Sequence, residues 1–70
     1  MNDLCIYQIE LRGQLNEQEL NAKAPFQMTI VRVNNASTLS AVYTDQSGLI
    51  GLIRHLHGKG YVLLSLTRER

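Results

Sequence analysis

Apolar and polar residues alternate from Leu4 to Arg12, with Cys5, Tyr7, Ile9 and Leu11 on one face and Gln8, Glu10 and Arg12 on the other. A run of β-forming residues with period two predicts a half-buried strand. Gly13 marks a bulge or turn behind it, and Leu15 keeps the odd register. The polar stretch Asn16 to Lys23 holds Asn16 and Glu19 at capping-box spacing, which predicts no more than a short helical turn. Ala24-Pro25 ends that turn, because a residue before proline is held extended. Period two returns from Phe26 to Val33, where Phe26, Met28 and Ile30 share one face and Thr29, Val31 and Val33 the other. Asn34 to Ser37 is turn chemistry, since asparagine bonds its own backbone and tolerates positive φ. Thr38 to Thr44 then predicts a third strand with Leu39, Ala41 and Tyr43 inward, joined to the second as a hairpin with a four-residue loop.

The period changes at Asp45. Leu49, Leu52, Ile53 and Leu56 recur at i, i+3, i+4 and i+7, the stripe of an amphipathic helix. Asp45 is a suitable N-cap facing the positive end of the dipole, and Arg54, His55 and His57 gather toward the other end. Gly58 or Gly60 supplies the left-handed residue that ends the helix. Tyr61 to Thr67 is a dense apolar run that predicts a central strand, and Arg68-Glu69-Arg70 reads as a solvated tail. The order is β-β-β-α-β, an α+β domain with a four-stranded mixed sheet and one helix packed on one face. Strand–helix–strand from 38 to 67 predicts a right-handed crossover into a parallel pair. Leu4, Ile6, Val31, Val33 and Val42 then point away from the helix, and a second copy of the chain is expected to cover them.

Length sharpens that expectation. Seventy residues make a single small domain, 1–70, and area scaling has it bury only about 60% of the surface its unfolded chain exposes. One cysteine excludes an internal disulfide, and no Cys/His spacing suits zinc, so packing and self-association are the remaining stabilisers and a homodimer is expected. The net charge of +1 names no partner. Residues 1–20 nevertheless carry Asp3, Glu10, Glu17 and Glu19 against Arg12, while 54–70 carry Arg54, Lys59, Arg68 and Arg70 against Glu69. No signal-peptide pattern opens the chain and no apolar stretch approaches the ~20 residues that span a bilayer, which with a lone Cys5 predicts a cytoplasmic protein without membrane contact.

Candidate chemistry is sparse. His55 and His57 stand at i, i+2, so on a helix they point about 200° apart and cannot share a metal ion. Cys5 has no basic neighbour in sequence to lower its pKa and reads as a buried structural residue. No pair of carboxylates is placed for acid–base work. The basic residues are scattered and no aromatic pair sits in a basic strand, which argues against nucleic acid. Gly48 and Gly51 are harder to dismiss, since each costs roughly 1 kcal/mol relative to alanine inside a helix. With His55 they lie along one edge of the apolar stripe and mark a close-packing or interface position. No glycine-rich run precedes the helix and no lysine follows Gly51, so this is not a phosphate loop.

Two resemblances meet at the helix. Tyr7-Gln-Ile9, Leu11-Arg-Gly13-Gln-Leu15, Phe26…Ile30, Ser37-Thr38-Leu39, Asp45-Gln46-x-x-Leu49-x-Gly51-Leu52-Ile53 and Gly60-Tyr61-Val62-Leu63-Leu64-Ser65-Leu66 together resemble a family of small uncharacterised bacterial proteins. That resemblance favours Gly60 as the helix end and implies no activity. The chain departs from the family pattern at Ile50, where the pattern has histidine, and at Lys59, where it has leucine. Asp45-Gln46-Ser47-Gly48-Leu49 is also similar to the Asp-Ser-Ser-Gly-Leu switch of STAS domains, with Ser47 at the position those domains phosphorylate. That similarity implies a phosphate at a helix N-terminus, where free N–H groups and the dipole would meet it. Gln46 replaces a serine, and the chain is short for a STAS domain.

The reading is therefore a non-catalytic homodimeric protein-interaction module with no cofactor. The alternatives are a STAS-like regulatory partner phosphorylated at Ser47, and a ligand-binding or enzymatic dimer with a pocket between subunits.

Overall fold

A computed structural model describes residues 4–22 and 24–69; Asp3, Lys23 and Arg70, named above, lie outside the described residues. The elements are β1 (Cys5–Arg12), α1 (Glu17–Asn21), β2 (Thr29–Val33), β3 (Ser37–Thr44), α2 (Gln46–Gly58) and β4 (Leu63–Glu69). The four strands form one sheet in the order β2-β3-β1-β4. The α+β architecture read from the sequence is present, with α2 on one face. β3 and β4 run in the same direction, as a strand–helix–strand unit requires, but β1 lies between them and every hydrogen-bonded neighbour is antiparallel. This is the split β-α-β arrangement, with its first helix shrunk to five residues.

Local chemistry sets the element ends. Asn16 caps α1 by accepting the Glu19 N–H at 2.6 Å. Asn21 clamps the following segment, its amide nitrogen donating to the Met28 carbonyl at 2.9 Å and its oxygen accepting the Met28 N–H at 2.7 Å. The β2–β3 connection is three residues rather than four, because the Asn34 carboxamide oxygen accepts both the Ala36 and Ser37 N–H groups at 2.8 Å and Ser37 already belongs to the strand. Asp45 caps α2 through the Gly48 N–H at 2.8 Å. At the other end Gly60, at φ +91°, takes the left-handed position. Its N–H donates to the His57 carbonyl and that of Tyr61 to the Leu56 carbonyl, the two bonds of a Schellman turn.

The core lies between the sheet and α2. Tyr7, Ile9 and Leu11 of β1 meet Leu49, Leu52 and Leu56 of α2, and Leu20 and Met28 close the β2 side. On β3 the inward face is the reverse of the sequence expectation: Thr38, Ser40, Val42 and Thr44 are buried, whereas Tyr43 is 63% exposed. Register decides this, because Tyr7, Ile9 and Leu11 stand opposite Val42, Ser40 and Thr38, and opposed residues share a face. The hydroxyls of Thr38 and Ser40 are tolerated on the inward face because each has a partner. Thr38 donates to the Gly13 carbonyl and accepts the Leu15 N–H, both at 2.8 Å, and Ser40 donates to the Ile9 carbonyl. Val42 thus belongs to the core, while Leu4, Ile6, Val31 and Val33 remain exposed as expected.

β4 is the larger departure. It is an edge strand, every residue of it exposed, and Arg68 and Glu69 extend the strand instead of forming a tail. The physical reason is strand order: β1 takes the place beside β3 that a parallel partner would occupy, so β4 pairs with β1 alone and becomes the edge.

Candidate functional site

Two regions bring polar chemistry together. The first is the end of the sheet where β1 and β3 approach the start of α2. Cys5 is half-buried and opposite Thr44. The Tyr7 hydroxyl is held above its ordinary pKa of 10.0, first by its side-chain hydrogen bond with Cys5, then by burial and by the thiol's charge; Asp45 acts the same way and Arg68 opposes it. A phenol kept protonated can donate a hydrogen bond but cannot serve as a base near neutrality. Ser47 is exposed in the first turn of α2, and the Asp45 carboxylate already holds the N–H of Gly48 beside it. Gly48 itself has no room for a side chain. A Cβ there would overlap the Thr44 hydroxyl and come within 2.9 Å of the Phe26 ring. A Cβ at Gly51 meets nothing within 4 Å, so the two helix glycines have different surroundings. His55 is half-buried. Together with Gly48 it lies on the helix edge turned toward Phe26 and β2.

The opposite edge of α2 carries the second region. There the helix overhangs β4 and leaves a half-open groove of about 350 Å³. Leu11, Leu56 and Leu63 line it together with Ile53 and Tyr61, and the Schellman turn sets Tyr61 at one end. Its polar rim is Arg54 and His57, and no carboxylate lines it among the described residues. The structure separates His57, on this rim, from His55 on the other edge of the helix. The groove escaped the sequence reading. Its signal was present in Ile50 and Ile53, which widen the apolar stripe toward one side only. Among the described residues, no three His, Cys, Asp or Glu side chains gather to hold a metal, and no helix is long and apolar enough to cross a membrane.

The two edges of the sheet differ as well. At β2 the Glu17 carboxylate accepts the N–H of Ile30 at 3.0 Å, so α1 occupies part of that edge. Among the described residues β4 has no such cover, and Val62 just before it and Leu63, Leu64 and Leu66 within it are each 41–45% exposed.

Residues 6–67 match the family described as a domain of unknown function, DUF8691. The chain belongs to that family. No curated protein and no solved structure matches it. In this DUF8691 domain the groove and the open β4 edge are the two features that offer a binding surface.

Proposed function

We propose that this DUF8691 domain is a homodimeric interaction module whose two copies pair antiparallel along β4. The single observation that carries the reading is the asymmetry of the sheet edges: β2 is blunted by Glu17, while β4 presents leucines and an unpaired main chain. An exposed apolar edge strand is a template for another strand, and proteins that do not use one for docking cover or charge it. A second copy suits this edge because a strand paired antiparallel with itself across a two-fold axis forms an isologous contact. The leucines at its middle then meet leucines, and the two copies of Arg68 lie toward opposite ends of the interface. Complete burial of a leucine is worth about 1.5–3 kcal/mol, so covering a side chain already more than half withdrawn adds roughly 1 kcal/mol. Three such leucines on each copy, with Val62 just before them, supply a useful driving force, to which the main-chain bonds add.

Light scattering on the full chain tests the proposal. At micromolar concentration the expected mass is about twice 7.9 kDa, and Leu66→Arg, at a position that is exposed in the single chain, is expected to return it to one chain. A wild-type mass of one chain across that range would refute the reading.

A further inference from the structure

We infer that the groove between α2 and β4 binds a free medium-chain carboxylic acid, with the acyl chain along Leu11, Leu56 and Leu63 and the carboxylate on Arg54. The inference rests on the groove's own lining and not on the dimer. Edge pairing uses the main chain of β4, whereas the groove uses the side of Leu63 that faces Leu11 across the sheet. The walls are apolar, and the charged or polar side chains that line them are Arg54, His57 and Tyr61, with no carboxylate among the described lining residues. A purely polar anion would find no polar floor there. A hydrocarbon would leave the guanidinium unused, and a cationic peptide would meet like charge at the rim. An apolar tail ending in an anion matches both features. The size is also right for a small ligand, since binding clefts start at about 300 Å³. The guanidinium offers a carboxylate two parallel N–H donors from a side chain that remains exposed and free to adjust.

Calorimetric titration of the full chain with hexanoate, octanoate, decanoate and decanol, each below its micellar concentration, tests this. NMR amide shifts locate the site. Affinity is expected to tighten about fourfold per added methylene until the groove is filled. Shift changes are expected at Ile53, Arg54 and Leu63. Arg54→Gln is expected to weaken decanoate about threefold to fivefold, the size of an exposed ion pair, and to leave decanol unchanged. Gly58→Leu is expected to abolish binding of both, because a side chain there enters open space at the groove wall. Neither variant removes a core contact, and far-UV circular dichroism checks that both fold. The inference is overturned if decanoate does not bind, if decanol binds as tightly as decanoate, or if the shifts fall on the opposite sheet face around Ile6 and Tyr43. Light scattering on the same samples separates the two readings: a dimer that ignores decanoate refutes only this one, and a monomer that binds it refutes only the dimer.

Discussion

Gly48 and Gly51 offer a controlled comparison, because the same substitution three residues apart in one helix should have clearly different effects. Both lie within α2, and both gain about 1 kcal/mol of helix propensity on conversion to alanine. At Gly51 nothing opposes that gain, since the added Cβ meets no atom within 4 Å. Gly51→Ala is therefore expected to stabilise the domain by about 1 kcal/mol. At Gly48 the new methyl overlaps the buried Thr44 hydroxyl, lies 2.9 Å from the Phe26 ring and 3.3 Å from the Asp45 carboxylate that caps the helix. Overpacking of this kind typically costs about 1–3 kcal/mol, so Gly48→Ala should range from neutral to a loss of about 2 kcal/mol. The propensity gain is common to both variants and cancels in their difference, which isolates the packing term. For a domain of this length 1 kcal/mol moves the melting temperature by about 4–8 °C, so the two variants should melt at least about 4 °C apart. The assay is thermal and urea denaturation followed by circular dichroism at one fixed protein concentration, because self-association would otherwise shift both midpoints. The Thr44→Ala background sharpens the test. With the hydroxyl gone, Gly48→Ala should recover most of its loss, a coupling of about 0.5–3 kcal/mol. Two variants with the same melting temperature, or no coupling to Thr44, would refute the packing argument.

Two further predictions concern the hydroxyls of two core residues, Thr38 and Tyr7. Thr38→Val leaves the Leu15 N–H and the Gly13 carbonyl without the hydroxyl that joins them and is expected to cost about 1–3 kcal/mol, with faster hydrogen exchange at the Leu15 amide; unchanged exchange would show that the bonds carry no load. The Tyr7 hydroxyl has a raised folded-state pKa, so its contribution is intact below the unfolded value of about 10 and is lost as pH rises through the folded one. Tyr7→Phe should accordingly flatten the alkaline decline of the urea midpoint above about pH 10 relative to the wild type, and parallel declines would contradict the assigned cause.

What could be read from the sequence was what local chemistry controls. The switch of period at Asp45, its cap on Gly48, the Asn16 cap and the left-handed Gly60 all follow from residues within a few positions of one another. The inward face of β3 could not be read that way. Leu39, Ala41 and Tyr43 are the more apolar set, yet the register with β1 places Thr38, Ser40 and Val42 under the helix. Their hydroxyls are tolerated only because Gly13, Leu15 and Ile9 supply partners from a distant part of the chain. Gly48 was marked by its cost to the helix, but the Phe26 ring that crowds it lies more than twenty residues away in sequence. The groove required knowing which edge of α2 overhangs β4, and strand order decides that.

The same strand order gives the misplacement of β4 a physical meaning. A run of seven residues as apolar as Tyr61 to Thr67 has the composition of an interior strand, and the single chain makes it an edge. Composition records the environment in which a segment is stable. An interior composition at an edge is the mismatch that the proposed dimer would relieve. α2 overhangs β4 only along the groove at Leu63, and every residue of the strand stays exposed in the single chain. In the proposed dimer β4 and its symmetry mate become the two central strands of an eight-stranded sheet, and α2 and its mate flank a trough above them. The two grooves would then open onto one shared trough, which makes a test beyond mass alone possible. Filling the grooves with decanoate should change the dimer dissociation constant, and by linkage self-association should change decanoate affinity by the same factor. Equal decanoate affinities for the wild type and for the Leu66→Arg monomer would show that groove and edge are energetically separate.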